Sequence, residues 1–394
     1  MENKEIFSVG IDMIYLAACS LHGRLPERAR LEKIDLDEVY KMAKRHSMQS
    51  IIYIIIAKCV KEYGEDIIHT QLLLRWKQDH HATLARLVSF DIEREQLLDF
   101  LDKNRIWYLC LKGIVLQSYY PTLGMRQMTD NDILVDRAGC KRIREYMTER
   151  GFETYSYGTH CHDTYIKGAV TFEIHRTLAE DGGKTKDAFS YYKNVKDKLL
   201  PGKRVAELQF CDEDFYIYYI FHAYKHYSIA GCGVRTLMDI YAFLSKKDDG
   251  LDREYLNAEL AALGLTEYER RSRELAFALF SADATEQSAD ILALDNELTQ
   301  MLNYYLHSGT FGTKKQQIEN SVSEISRGGE VTALVRIRYL LRRIFPSMDY
   351  YKNSYPRASK FLVTIPFLWF IRIFRGIGKG KSVAKEVKEL KNIK

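Results

Sequence analysis

Proline is scarce, six in 394 residues, which leaves long stretches free to run as helix. The seven cysteines are scattered, odd in number, and form no Cys-x-x-Cys pair. That pattern argues against a disulfide frame and against a zinc site, and fits reduced thiols in a cytoplasmic protein. No basic-then-apolar leader is read at Met1-Glu-Asn-Lys-Glu-Ile, so no signal peptide is expected. The longest apolar segments, 51–57 and 361–374, fall short of the roughly 20 residues a membrane-spanning helix needs. Charge is nearly balanced, at a net +5, which admits an anionic substrate without announcing a nucleic-acid binder. What is present in quantity is apolar side chain, 46% of the total, enough for two or three domains with real cores.

From Ile6 to Asn104 the spacing is helical. Between 36 and 63, Val39, Met42 and Ala43, then Ile51, Ile52 and Ile55, recur at three- and four-residue intervals, as in a helix with one buried face. Residues 71–102 repeat the pattern with Leu72, Trp76, Leu84, Leu87, Leu97 and Leu101. His80 and His81 are adjacent, about 100° apart on a helix, so they are expected on a solvated surface rather than sharing a metal. This region shows no catalytic pattern, and packing is its expected work.

The texture changes at Arg105. Ile106-Trp-Tyr-Leu-Cys-Leu111 is short, apolar and rich in strand formers. Lys112-Gly113 follows, then a helical run over 114–120. A strand, a glycine turn and a helix start make a natural anion site, with backbone N–H groups pointing outward. Gly113 would let a phosphate approach the backbone, and Lys112 adds a point charge. A plain strand-to-helix turn has the same pattern. Arg126, in the loop 121–127, reads either as a salt-bridge partner for the carboxylates after it or as a phosphate contact.

Next comes Met128-Thr-Asp-Asn-Asp-Ile-Leu-Val135. Asp130 and Asp132 stand two apart, so in an extended strand both carboxylates leave one face. Such oxygen ligands suit a hard cation, Mg²⁺ or Mn²⁺; taken alone, the pair reads better as an ordinary Asp-rich turn leading into a strand. Asn131 would face the packed side and need a hydrogen-bond partner. Residues 138–150 read as a helix stopped by Gly151. Residues 152–157, 164–166 and 170–176 read as strands. In the last, Thr171, Glu173 and His175 share one face, and Phe172 and Ile174 the other. If that strand lies beside the aspartate strand, Glu173 becomes a third carboxylate at the same site.

Taken in order, Leu111-Lys-Gly, the Tyr120-Pro121 loop, Arg126, Met128-Thr-Asp-x-Asp-Ile-Leu-Val, a helix ending in Gly151-Phe152, and Phe172-Glu-Ile-His175 resemble nucleotidyltransferases of the DNA-polymerase-β-like superfamily. The likeness is greatest to the bacterial uncharacterised nucleotidyltransferase family. Downstream, His222-Ala-Tyr-Lys-His226 and Gly233-Val-Arg-Thr-Leu-Met-Asp239 look like that family's helical segment. Phe345-Pro-Ser, Tyr355-Pro and Leu368-Trp-Phe-Ile-Arg372 look like its C-terminal end, so the likeness runs over about 105–375. Two positions depart from it: Lys112-Gly113 stands for the superfamily's usual Gly-Ser, and Asn131 for a common apolar residue.

The resemblance implies an α+β fold, a small mixed sheet flanked by N-terminal and C-terminal helical regions. It implies Mg²⁺- or Mn²⁺-dependent transfer of an NMP group from an NTP to a hydroxyl acceptor, with release of pyrophosphate. Asp130, Asp132 and Glu173 would be both catalytic and metal-holding. In two-metal sites the ions lie roughly 3.5–4 Å apart, one gripping the triphosphate and the other activating the acceptor hydroxyl. Lys112, Gly113, Arg126, Lys225, His226 and Arg235 would bind nucleotide phosphates, with His175, His222 and Asp239 near them. Three carboxylates repel one another unless cations neutralise them. Asp132→Asn is therefore expected to remove activity without loss of metal-free stability.

Asp212 is the expected N-cap of a helix over 215–228. His222 and His226 lie four apart and share a face, with Lys225 adjacent. His-x-x-x-His invites a zinc reading, but Ala223 stands where a zincin has Glu and no third ligand is evident. A face turned to nucleotide or acceptor, and histidines packing helix on helix, are the readings that remain. Gly231 and Gly233 break the chain before a helix over 234–245, where Arg235 and Asp239 are expected to pair with each other at i, i+4. Amphipathic helices continue over 251–326 with a loop at 309–312, and 331–345 is a basic helix closed by Pro346. The segment 361–374, with Trp369 beside a Lys-rich tail, is compatible with weak contact to an anionic membrane surface. Docking onto the protein's own helices is the plainer reading, with the tail 376–394 mobile.

The divisions read from this are 1–104, 105–210, 211–345 and 346–394. The expected placement is cytoplasmic, or peripheral to a membrane. The expected partners are an NTP and an acceptor, a small molecule or carbohydrate ahead of a protein or RNA. Two other functions stay open. A nucleotide-sugar glycosyltransferase also uses Asp-x-Asp, although a helical segment rather than a long α/β stretch precedes the motif here. A non-catalytic nucleotide-binding or scaffold protein is the other, set against the intact Asp130, Asp132 and Glu173.

Overall fold

The apolar spacing between 36 and 63 is carried by two helices, not one. Ser47 takes a left-handed φ of 54°, which closes the first at His46 and lets the second start at Gln49. The computed structural model describes residues 3–182, 185–281, 294–355, 358–377 and 380–393. Its first part is helical: α1 (Asn3–His22), α2 (Arg28–Leu31), α3 (Leu36–His46), α4 (Gln49–Tyr63) and α5 (Thr70–Lys103). Among the described residues, one helix is long and apolar enough to cross a membrane, over Lys4–His22. Ser8, Gly10 and Asp12 interrupt its apolar run in the sequence. It lies in the largest apolar core, with Met13, Ile14, Leu16 and Ala17 buried. His81 is exposed, but His80 is half-buried: its Nδ1 and Ser50 Oγ are hydrogen-bonded at 2.8 Å, and its ring packs on Tyr53.

The centre is β1 (Tyr108–Cys110), α6 (Gly113–Leu116), β2 (Asn131–Val135), α7 (Cys140–Glu149), β3 (Glu153–Ser156), β4 (His162–Lys167), β5 (Val170–His175), α8 (Lys186–Tyr191), β6 (Leu200–Pro201) and β7 (Glu207–Gln209). The strands form one mixed sheet in the order β3-β4-β5-β2-β1-β7-β6. β2 runs parallel to β5 and antiparallel to β1. Period-two alternation gives the sheet two different faces. Ile133, Val135, Phe172 and Ile174 pack with Leu87, Phe90 and Leu97 of α5 and with Ile143 and Met147 of α7. Leu109 and Leu134, on the other face, join the large core. Asn131 lies fully buried on the α5 side, and its Oδ1 accepts from Arg94 Nη1 of α5 at 3.2 Å.

Helices then return: α9 (Asp212–Ile229), α10 (Arg235–Lys247), α11 (Arg253–Ala262), α12 (Thr266–Phe280), α13 (Asn296–Ser308), α14 (Lys314–Ser326), α15 (Ala333–Ile344), α16 (Met348–Ser354), α17 (Ile365–Ile377) and α18 (Gly380–Asn392). The cap of α9 is Cys211, whose Sγ accepts the Asp214 N–H, rather than Asp212. α1 packs on α12 and α13, so helices from both parts of the chain share one core beside the sheet. The fold is the expected α+β arrangement.

The expected mobile tail is instead the docked helix α18. Glu386 accepts from Arg343 at 2.7 and 3.1 Å and from the Tyr339 hydroxyl at 2.7 Å. Leu390 is buried beside Ile318, Val322 and Val335. Its many lysines conceal this spacing. α17 is docked on one side only: Ile365 and Leu368 bury against Tyr351, while Phe367, Phe370, Ile371 and Phe374 are exposed.

Candidate active site

Parallel pairing of β2 and β5 sets Asp132 directly beside Glu173. Because the side chains alternate, both point to the face away from α5, and His175 joins them two residues on. Asp130 sits just ahead of β2, at its mouth. Asp132, Glu173 and His175 each offer a ligand atom, all within 4.8 Å of one another. Lys112, after β1, places Nζ 2.5 Å from Asp132 Oδ1. It does so from a left-handed φ of 44°, backbone strain of the kind that tends to collect at functional sites. His175 Nε2 donates to the same Oδ1 at 2.9 Å and lies 3.6 Å from Glu173. A separate cleft of about 460 Å³ is lined by Glu319, Ser323, Val331, Glu389 and Ile393; none of these belongs to a metal-ligating cluster.

The electrostatics separate the three carboxyls. Burial raises Asp130, Asp132 and Glu173 add repulsion, and Lys112 offsets only part of it, so Asp130 is pushed up to about 6. Burial works against ionising Asp132 too, but Lys112 and His175 outweigh it and hold this carboxyl far below the usual range. Burial likewise opposes ionising Glu173, and the bond from His175 helps to bring it below its usual value. On His175, burial disfavours the charge, but Asp132, the neighbouring Cys161 and Glu173 raise its imidazole to about 10. Lys112 is raised as well: burial is overcome by Asp132 first, then by Tyr218, Glu173 and Asp130. In the metal-free protein Lys112 and His175 therefore stand where cations would. The carboxylates are less strained than their sequence implies, and the surplus negative charge falls on Asp130.

One face of α9 roofs the site. Tyr218, His222 and His226 follow at four-residue spacing, with ring centroids 6.2 and 4.5 Å apart. Burial and then Lys112 push His222 well below its usual value; His226 packs edge-on against that ring but is itself exposed to solvent, so partial burial and Lys225 lower it less firmly, in the same direction. Both are neutral at pH 7 and free to accept hydrogen bonds. The Tyr218 hydroxyl feels both Lys112 and Asp132. Sequence reasoning passed over Tyr218, although its i, i+4 relation to His222 was a usable signal. It also passed over Cys161 and His162. Burial raises the Cys161 thiol, but His162 and His175 outweigh it and lower it to about 5.

Over residues 32–281 the chain matches the model of the uncharacterised nucleotidyltransferase family. The chain belongs to that family. No match appears among curated proteins or solved structures. The family match begins within the N-terminal helices and ends at 281, so the stretch 345–375 that resembles the family's C-terminal end lies outside it.

In this member of the family several expected phosphate contacts have other partners. Arg126 is only 6% exposed and grips Asp239 with Nε at 2.8 Å and Nη2 at 3.0 Å. It is a salt-bridge partner, but of a residue 113 positions away. Asp239 therefore does not pair with Arg235, which donates instead to the Gln127 carbonyl at 2.9 Å. Gly113 is where Arg126 packs: a Cβ there would lie 2.7 Å from Arg126 Nη1 and 3.2 Å from Met128 Cγ. α6, which starts at Gly113, is a single turn of four residues. Lys225 is half-buried on α9, on the side of the thiol that its charge helps to lower.

Proposed function

We propose that this nucleotidyltransferase moves an NMP group from an NTP to a hydroxyl acceptor and releases pyrophosphate, with Mg²⁺ or Mn²⁺ held by Asp130, Asp132 and Glu173. The observation that carries this reading is the register: Asp132 beside Glu173, Asp130 two residues ahead, and Lys112 on the same carboxylate. The donor set fits hard cations, being all oxygen, and the raised carboxyl of Asp130 marks negative charge left to be neutralised. Divalent cations there supply charge stabilisation at the phosphoryl oxygens and acidify the acceptor hydroxyl. Lys112 exchanges Asp132 for a phosphate oxygen when a triphosphate is present. Arg235 forms no ion pair among the described residues, which leaves N–H groups for a second phosphate. Glu173, ionised at neutral pH and more exposed than Asp132, accepts the acceptor's proton. Tyr218, His222 and His226 present hydroxyl and imidazole groups rather than a run of cations. That favours a sugar or other small hydroxyl compound over RNA as acceptor.

The test is incubation with each α-labelled NTP, Mg²⁺ and pooled small-molecule acceptors. Metal-dependent label transfer with pyrophosphate release is expected. NTP binding without turnover by any NTP would make the protein a nucleotide-binding module. Turnover of a UDP-sugar in place of NTPs would make it a glycosyltransferase.

A membrane-peripheral placement is proposed for the C-terminal helices. Phe361, Phe367, Phe370 and Phe374 are each more than 60% exposed, and Leu334, Ile337 and Leu341 of α15 extend the apolar face. Phe345 and Trp369 join the two helices edge to face at 5.2 Å. Arg338 and Arg342 are exposed beside it. Apolar aromatics flanked by arginines complement an anionic bilayer surface. Flotation with phosphatidylglycerol vesicles is expected to carry the protein, and Phe370→Glu with Phe374→Glu to abolish it. Absence of flotation, with a dimer that the same pair of substitutions dissolves, would assign the face to a second copy instead.

A further inference from the structure

Beside the carboxylates lies a second set of ligand atoms of different character. Cys161, His162 and His175 each offer one, all within 4.8 Å of one another. Pairing of β4 and β5 sets His162 opposite His175, with ring centroids 5.0 Å apart. Cys161 precedes His162, and its carbonyl accepts the Arg176 N–H at 2.8 Å, which fixes the backbone there. Cys161 Sγ lies 3.5 Å from His162 Nδ1. Zinc bonds of about 2.3 Å to sulfur and 2.0–2.1 Å to nitrogen, at tetrahedral angles, place the two donors about 3.5 Å apart.

The far side of each ring supports the same reading. His162 Nε2 lies 3.6 Å from Glu173, and His175 Nε2 is 2.9 Å from Asp132. A metal-binding imidazole is ordinarily held in this way, with a carboxylate on the nitrogen that does not bind the metal. His175 Nδ1, the nitrogen left over, is buried in a side chain only 6% exposed and makes no well-formed hydrogen bond, while the Cys161 sulfur acts on the same ring. A buried polar atom without a partner costs roughly 1–3 kcal/mol, and a bound cation removes that cost.

We propose that Cys161, His162 and His175 form a binding site for a thiophilic divalent cation, with Zn²⁺ as the reference, adjoining the carboxylate site and distinct from it. Sulfur and imidazole select borderline metals, whereas Asp130, Asp132 and Glu173 select hard ones. Three protein ligands leave one position open to water. Glu173 and Asp132 serve both sites, as outer partners of the imidazoles and as oxygen ligands, so occupancy of one site alters the other. The spacing of cysteines in the sequence hides this set, because the second histidine arrives only through strand pairing.

The test titrates the full-length, metal-free protein with Co²⁺ and follows near-ultraviolet thiolate-to-cobalt charge transfer, a signal independent of turnover. About one equivalent of Co²⁺ is expected to develop the band, Zn²⁺ to displace it, and excess Mg²⁺ to leave it. Cys161→Ser is expected to lose the band, and Cys211→Ser, at a half-exposed thiol far along the chain, to keep it. His162→Gln, at a half-exposed residue, is expected to weaken Co²⁺ binding roughly tenfold or more while the circular dichroism stays unchanged. A folded wild-type protein without a thiolate band, or a band that survives Cys161→Ser, would overturn the proposal.

Discussion

Asp130→Asn and Asp132→Asn are each expected to reduce nucleotidyl transfer at least roughly a thousandfold, about 4 kcal/mol of transition-state stabilisation, while moving metal-free stability in opposite directions. Asp130 is pushed up to about 6, by burial first and by Asp132 and Glu173 next. A folded-state value above the unfolded one means that the folded protein holds its proton longer. Ionising Asp130 therefore costs stability, by an amount that grows from about pH 4 to pH 6 and is full above it. Two pKa units correspond to roughly 3 kcal/mol. A neutral asparagine in place of Asp130 removes that cost, so a gain on the order of 1–3 kcal/mol is expected at pH 7.5, fading towards pH 4.

Asp132 behaves in the reverse sense. Its folded value lies far below the unfolded one, because Lys112 and His175 both rest on Oδ1. Asparagine there leaves a buried ammonium and a buried imidazolium without their counter-ion. Breaking a buried pair from one side costs about 3–5 kcal/mol. Urea unfolding without metal, run beside the transfer assay, checks both. Equal losses of stability in the two variants would make the pair a purely structural feature. Retained activity in Asp130→Asn would remove it from the site. The sequence alone points to no stability loss in Asp132→Asn, because the position of Lys112 relative to Asp132 is a tertiary fact.

That contrast shows which parts of the molecule were legible. The alternation in 170–176 placed Glu173 and His175 on one face and Phe172 and Ile174 on the other, and the core follows it. A period of two is a local property and survives folding. That Asp132 falls level with Glu173 depends on register, which no local pattern states. The need of Asn131 for a partner was legible, but Arg94 as the answer was not. The break at Ser47 was hidden because apolar spacing continues across it. Arg235 and Asp239 obey the i, i+4 rule for neighbours on a helix, yet an exposed helical pair contributes only about 0.3–0.5 kcal/mol. A buried fork from Arg126 overrides a preference that small.

The largest structural effect is expected at that fork. Asp239 is 2% exposed and accepts four hydrogen bonds: Arg126 Nε and the Tyr120 hydroxyl on Oδ1, Arg126 Nη2 and the Tyr219 hydroxyl on Oδ2. Its acceptor capacity is filled. Arg126→Ala and Asp239→Ala are each expected to destabilise the protein by about 3–5 kcal/mol, since each strands the other's charge in the core. The double variant is expected to cost much less than their sum, by a coupling of several kcal/mol. Arg126→Lys recovers little, because one ammonium cannot serve both oxygens as the planar fork does. Urea unfolding of the three variants and the double measures this. An unchanged unfolding midpoint together with a raised KM for NTP would return Arg126 to the role of a phosphate contact. The pair also has a positional consequence. Arg126 and Gln127 lie just ahead of Asp130, whereas Tyr219, Arg235 and Asp239 belong to α9 and α10. The same α9 carries Tyr218, His222 and His226 over the carboxylates. The buried fork thus sets the spacing between the carboxylate strand and its roof, and loosening it widens the space in which an acceptor must be held.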